Sequence, residues 1–186
     1  MTLASKIYED VFLESVTYTD PGHKAVTKEL AKVYARIDIS DDDVIVDILV
    51  GSAQDEFRKH TRSPLYKGTV VAKFSASSGN VRFQLPLKPV VSVTKVEHNG
   101  SEIKYDREGN WILIDDFDST QGELIEVTYQ AGLLAKDDTV PTDIKEGILK
   151  YIASNYNDRE DYSADAVHGM PNGSKEKWNS YRYLRF

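Results

Sequence analysis

The acidic and histidine residues are the groups in this sequence that could hold a metal ion or transfer a proton. Residues 116–120 (Asp-Phe-Asp-Ser-Thr) begin like a calcium-binding EF-hand loop. The sixth position of that loop is Gln121 instead of glycine, and the twelfth is Val127 instead of glutamate. The four histidines lie in unrelated segments without a second ligand at helical spacing: His23, His60, His98 and His168. The sequence therefore predicts no metal site and no cofactor.

Catalytic motifs are missing from the sequence as well. It contains no Gly-x-Ser-x-Gly elbow, Walker loop or dinucleotide glycine fingerprint. It has no cysteine, which excludes a thiol nucleophile, a disulfide scaffold and a thiolate metal site. We therefore expect a protein that is not an enzyme. A small hydrolase or a metal-dependent enzyme is the alternative from a different functional class.

The C-terminal segment is the strongest functional candidate. Aromatic and arginine side chains alternate over its last nine residues: Trp178, Tyr181, Arg182, Tyr183, Arg185 and Phe186. These residue types are enriched at the buried centres of protein–protein interfaces, so the pattern predicts a partner-binding surface. Two alternatives remain at this point. The segment could pack on its own domain as a last helix or strand, or stack on single-stranded nucleic acid.

Charge and hydropathy narrow the class of protein. The chain has 186 residues and a net charge of −7. Residues 163–186 carry four cations and two anions, a net of +2, which leaves −9 for the remainder. An acidic body does not suit a sequence-independent DNA-binding protein. No stretch approaches the ~18 to 20 apolar residues of a membrane-spanning helix, and the first ten residues do not resemble a secretory signal.

Three helices are predicted to position the candidate residues. One spans residues 41–60, with Ser40 as its cap and Ser63-Pro64 as its stop. The second covers residues 26–37, and the third spans residues 141–160, opened by Pro141. Apolar residues recur at helical spacing in all three and predict their core-facing stripes: Val26, Leu30, Val33, Tyr34 and Ile37; Val44, Ile45, Ile48, Leu49, Ala53 and Phe57; Ile144, Ile148, Tyr151, Ile152 and Tyr156.

Residues 69–130 have a different character and predict one small antiparallel β-sheet. They are rich in β-branched and aromatic residues. Asn99-Gly100 indicates a type I′ hairpin, because both residues tolerate a positive φ. We expect a return strand at residues 103–105, and a later strand with Ile125, Val127 and Tyr129 on one side. The fold class is therefore α+β, a small helical bundle with an inserted antiparallel sheet.

Four blocks, in this order, resemble the head–tail connector (adaptor) proteins of long-tailed bacteriophages and their prophage relatives, in the longer form with a β-rich insertion. The blocks are 35–38 (Ala-Arg-Ile-Asp) with the helix ending at 60–62, 85–93 (Leu-Pro-Leu-Lys-Pro-Val-Val-Ser-Val), 127–132 (Val-Thr-Tyr-Gln-Ala-Gly) with the helix reaching 156–160, and 181–186 (Tyr-Arg-Tyr-Leu-Arg-Phe). The resemblance covers roughly residues 26–186. It implies an N-terminal extension (1–25), a connector domain (26–162) with a β insertion (69–130), and a flexible docking segment (163–186).

The resemblance also implies a function and a set of partners. Proteins of this family form a ring of about twelve subunits below the portal, by head-to-tail contacts between neighbouring copies. The expected partners are the portal protein, other copies of the chain, and the next neck or tail-completion protein. Double-stranded DNA would pass through the channel without specific binding, and no membrane is involved. The protein would be made in the bacterial cytoplasm and reside in the virion neck. Alternatives are another neck component, such as a stopper or tail-completion protein, and a nucleic-acid-binding module.

Overall fold

The structure is a computed structural model that describes residues 8–118, 124–157 and 171–183. It confirms the predicted α+β class. The chain divides into two compact units, each built from two stretches of sequence. The β unit comprises Met1–Pro21 and Lys67–Leu133, and the helical unit comprises Gly22–Tyr66 and Leu134–Phe186. The predicted N-terminal extension therefore supplies a strand to the β unit.

The described residues of the helical unit form four α-helices and one 3₁₀ turn. The helices are α1 (Lys28–Ala35), α2 (Asp43–Thr61), α3 (Thr142–Asn157) and α4 (Asn172–Trp178), and the turn spans Asn179–Tyr181. Three of them match predicted helices, and α4 lies in the segment predicted to be flexible. The end of the predicted third helix, residues 158–160, lies outside the described residues.

The start of α2 differs from the prediction. The helix begins at Asp43, and Asp42 occupies the N-cap position without a side-chain capping bond. Ser40 contributes only its carbonyl, which accepts a hydrogen bond from the Asp43 N–H at 3.0 Å. The Asp42 carboxylate instead accepts a hydrogen bond from the Tyr156 hydroxyl of α3. The Asp42 side chain therefore joins α2 to α3 instead of capping α2. The local sequence does not reveal this contact, because Tyr156 is distant along the chain.

Only some residues of the predicted apolar stripes are buried in the core of the helical unit. Ile144, Ile148 and Ile152 of α3 are fully buried, as predicted. Ala53 and Phe57 of α2 are fully buried as well. Several other stripe residues are exposed, contrary to the prediction: Leu30, Val33 and Tyr34 on α1, and Val44, Ile45 and Ile48 on α2.

The described residues of the β unit form two antiparallel sheets instead of the single sheet predicted. The strands are β1 (Val11–Thr19), β2 (Gly68–Ala76), β3 (Gly79–Gln84), β4 (Val90–His98), β5 (Ser101–Glu102), β6 (Asp106–Glu108), β7 (Trp111–Phe117) and β8 (Leu124–Ala131). The larger sheet has the order β1-β2-β8-β4-β5, and the smaller sheet has the order β3-β7-β6. Both sheets share one apolar core, in which Phe74 of β2 lies 4.3 Å from Phe83 of β3 between ring centroids.

Two local predictions in the β unit have different outcomes. Asn99 and Gly100 both have positive φ (52° and 74°) and connect β4 to β5, which confirms the predicted hairpin. Residues 103–105 are not a strand, because β5 belongs to the larger sheet and β6 to the smaller one, so the chain changes sheets there. The predicted buried face of β8 is confirmed, since Ile125, Val127 and Tyr129 are fully buried.

Candidate functional site

The C-terminal segment is attached to the helical unit through Trp178. Its side chain is fully buried. The indole packs edge-on against Phe57 of α2, with 5.5 Å between ring centroids and an interplanar angle of 88°. The indole N–H donates a hydrogen bond to the carbonyl oxygen of Ile144 at 3.4 Å. One aromatic side chain thus joins α4 to both α2 and α3.

Gly147 of α3 makes room for this indole. A β-carbon at that position would lie 2.8 Å from Cε2 and 2.9 Å from Cδ1 of Trp178. Both distances are shorter than the ~3.5–4.0 Å of an ordinary carbon–carbon contact. The Ser174 hydroxyl, fully buried, donates a hydrogen bond to the Gly147 carbonyl at 2.8 Å. The absence of a side chain at Gly147 therefore lets α4 lie directly on the backbone of α3.

Charged residues hold the outer side of the contact between α3 and α4. The Glu146 carboxylate forms ion pairs with Lys177 Nζ, 2.7 Å from Oε2, and with Lys150 Nζ, 3.2 Å from Oε1. Hydrogen bonds from Lys177 and then Lys150 lower the pKa of Glu146. The same contact with Glu146 raises the pKa of Lys177. These side chains are only half-buried and remain accessible to water, so their contribution to stability is small, and they mainly select the orientation of α4.

Polar contacts continue along the chain beyond α4. His60 Nε2 lies 2.9 Å from Asn179 Oδ1, and the Tyr181 hydroxyl donates to Asp143 Oδ1 at 3.0 Å. Burial, followed by this hydrogen bond to a carboxylate, raises the pKa of Tyr181. The Tyr183 N–H donates to the carbonyl oxygen of Thr61, at the end of α2, at 2.9 Å. The chain is therefore held to its own unit up to residue 183.

The structure separates the predicted interface residues into three groups. Trp178 and Tyr181 contact their own unit, which is the alternative of a last helix that packs on its domain. Arg182 is exposed and Tyr183 is half-buried. Arg185 and Phe186 lie outside the described residues, as do residues 163–170 of the predicted flexible segment. A contact of these residues with a partner stays a prediction.

Sequence reasoning missed the exposed apolar faces of α1 and α2. Val33 is 77% exposed, Val44 69% and Ile48 61%. One sequence signal could have identified the face on α2. Six of the eight residues from 43 to 50 are Val, Ile or Leu, so this part of the helix is apolar almost all round. A single core contact buries only one stripe of a helix, and such a segment needs a second apolar contact.

His23 and His98 lie against aromatic rings, and residues 119–123 of the acidic loop lie outside the described residues. His23 packs edge-on against Tyr66, and His98 lies 4.8 Å from Phe117 between ring centroids. His168 lies outside the described residues. In the part of the chain that the structure describes, no three His, Asp or Glu side chains are grouped so that they could hold a metal ion. No helix among these residues is long and apolar enough to cross a membrane.

Comparison with solved structures relates this fold to chains of gene transfer agent (GTA) particles. A chain in the neck of the empty GTA particle, computed with C6 symmetry, superposes with a TM-score of 0.67 at 18% identity, covering 92% of this chain and 97% of that one. A chain of the native GTA virion gives 0.64 at 17%, covering 92% and 96%. A chain in the native neck, computed with C12 symmetry, gives 0.62 at 16%, covering 92% and 97%. The protein has the fold of a GTA neck chain.

The similarity includes both units, because it spans nearly the whole of each chain. No protein-family model matches the sequence, and the search of curated proteins found no match. The relationship is therefore carried by the fold, at 16–18% sequence identity.

Proposed function

We propose that the protein is a head–tail connector (adaptor) subunit of a phage-like particle, which forms a ring under the portal and links the capsid to the tail. The observation that carries this proposal is the fold shared with neck chains of GTA particles over 92% of the sequence. The four sequence blocks that resemble connector proteins support it independently. The role is structural and involves no catalytic step.

Ring formation is supported by the symmetry of the related particles. Their necks were computed with C6 and C12 symmetry, both of which place copies of a chain around one axis. Rings arise when one surface of a subunit fits a different surface of its neighbour. The exposed apolar residues of the helical unit provide surface for such contacts, since large apolar patches on soluble proteins mark interaction sites.

The proposed portal contact is the end of the chain, from Arg182 to Phe186. Arg182 and Arg185 supply positive charge, and Tyr183 and Phe186 supply aromatic surface. Trp178 and Tyr181 would contribute by fixing where these residues emerge from the helical unit. Such anchoring reduces the number of residues that must become ordered on binding, and therefore the entropy cost of the contact. In this proposal Trp178 and Tyr181 position the end of the chain. The portal contact is made by Arg182, Tyr183, Arg185 and Phe186.

The net charge of −7 agrees with a role around passing DNA. DNA binding without sequence preference depends on lysine and arginine contacts to phosphates. An acidic ring would offer few of these contacts, and the DNA would move through it without being retained. In this proposal the subunit is synthesised in the bacterial cytoplasm and ends in the virion neck, where the next neck or tail-completion protein binds its free side.

The test is co-sedimentation of the full-length protein with its assembled portal ring, comparing Arg182→Glu with Lys136→Glu. Both substitutions change the charge by two units at an exposed position of the helical unit. We expect Arg182→Glu to weaken portal binding at least several-fold and Lys136→Glu to leave it unchanged. If the wild-type protein does not bind the portal but binds another neck protein, the chain is a different neck component. Equal binding by the two variants would overturn the assignment of the C-terminal contact.

A further inference from the structure

The helices α1 and α2 meet along a line of ion pairs. Lys28 Nζ lies 3.1 Å from Asp43 Oδ2 and 3.6 Å from Asp47 Oδ2, and Lys32 Nζ lies 2.6 Å from Asp43 Oδ1. The lysines are four residues apart on α1, and the aspartates are four residues apart on α2, so each pair occupies one side of its helix. These charges therefore mark the side of each helix that faces the other.

The exposed apolar residues lie on the sides that face away from this contact. With about 100° per residue in an α-helix, Leu30, Val33 and Tyr34 are on the opposite side of α1 from the two lysines. Ile45 and Ile48 are likewise turned away from the aspartates of α2, and Val44 lies at the edge of this side. We call these the α1 face and the α2 face. Because they point to opposite sides of the helix pair, neither can cover the other within one chain.

We propose that the α1 face of one copy packs against the α2 face of the next copy, and that this contact closes the ring. The inference rests on the proposed function, which supplies the ring. Two faces that point in opposite directions are both covered only by a head-to-tail arrangement. A two-fold dimer through either face would leave the other exposed to water.

Charge at the ends of the two faces is complementary. Arg36 follows the last residue of α1, and Asp41 lies two residues before the start of α2. Both are exposed. In a ring with rotational symmetry, the 36–42 connection of every copy lies at the same height along the axis. The Arg36 side chain of one copy would then lie near Asp41 of the next, so that opposite charges meet at this end of the contact.

Disulfide trapping tests this contact, and the absence of natural cysteine makes the result unambiguous. Val33→Cys and Ile48→Cys are prepared separately, mixed at high concentration and oxidised, with the exposed Lys136→Cys as the control. We expect a Val33→Cys/Ile48→Cys heterodimer in several-fold excess over either homodimer and over dimers with the control. The double variant should give a ladder of covalent oligomers, whereas the mixed single variants should stop at the dimer.

A charge exchange provides a second readout. Arg36→Asp should reduce trapping several-fold, and Arg36→Asp combined with Asp41→Arg should restore it. Arg36 has φ 57°, a conformation that aspartate tolerates better than most residues. Predominant homodimers, or trapping no better than the control, would overturn the proposed contact. If wild-type rings form on the portal in that case, only this inference fails; if they do not form, the proposed function fails with it.

Discussion

Replacing Gly147 with alanine tests whether Trp178 lies directly on the backbone of α3. In an ordinary helix interior this substitution stabilises a protein by about 1 kcal/mol, because alanine has the higher helix propensity. Here the new β-carbon would lie 2.8 and 2.9 Å from two carbons of the indole. Forcing an extra carbon into a packed core costs about 1–3 kcal/mol. We therefore expect a net loss of up to about 2 kcal/mol in the free energy of unfolding.

The same substitution should change sign when the indole is removed. Trp178→Ala itself should cost about 3–5 kcal/mol, as for other large core side chains. In that background Gly147→Ala no longer meets the indole and should stabilise by about 1 kcal/mol. Wild type, the two single variants and the double variant form a double-mutant cycle. The free energy of unfolding of each is measured in urea from the loss of the helical circular dichroism signal.

Gly51 of α2 is the matched control. The nearest atom to a β-carbon there is Lys24 Nζ at 3.6 Å, the end of a flexible side chain. Gly51→Ala should therefore stabilise by about 0.5–1 kcal/mol. If Gly147→Ala stabilised the protein as much as Gly51→Ala, the close contact between the indole and α3 would be wrong. The proposed anchoring of the C-terminal residues would then lose its structural basis.

Three further predictions concern a buried amide, a charged contact and the acidic loop. Gln54→Leu should lower the free energy of unfolding in urea by about 1–3 kcal/mol. The substitution removes the hydrogen bonds of the Gln54 amide to the Ala25 N–H at 2.7 Å and to the His23 carbonyl at 2.9 Å. An unchanged urea midpoint would contradict this. Hydrogen bonds from the lysines of α1 lower the pKa of Asp43, so its contribution to stability is present above the pKa of the unfolded chain and is lost as the pH falls through the lower folded value. The stability difference between wild type and Asp43→Asn should therefore vanish in acid, and one that persists there would refute the linkage. Calcium and chelator should leave the melting temperature unchanged, and a calcium-dependent shift that disappears when Asp115, Asp116 and Asp118 are replaced by Asn would reveal a metal site.

Much of the fold is predictable because its patterns are local. The stripe of α3 has one buried side and repeats at helical spacing, so its three isoleucines identify both the helix and its core. The hairpin at Asn99-Gly100 is equally local, since its turn needs two consecutive residues with positive φ. The division into two sheets is not local. It depends on whether a strand pairs with β8 or with β7, and the alternation of side chains is the same in both cases.

The strand β1 was not predicted from the sequence, and the reason is physical. β1 is the edge of the larger sheet, and six consecutive residues of its nine are exposed. An edge strand of this kind needs no regular alternation of apolar and polar residues, so its sequence carries little periodic signal.

The candidate site was predictable in composition but not in the roles of its residues. The spacing of aromatic and arginine residues pointed to the C-terminal segment. It could not show that Trp178 faces Gly147, because the two residues are 31 positions apart in sequence. Apolar periodicity alone also could not distinguish the buried sides of α1 and α2 from their exposed faces, since a core and a subunit interface favour the same residue types.

Electron microscopy of the full-length protein mixed with its intact portal ring tests the central claim most directly. The account predicts a ring of copies stacked coaxially on the portal, with residues 182–186 at the contact and the α1 and α2 faces between neighbouring copies. Portal rings that remain bare at saturating protein concentration would contradict it.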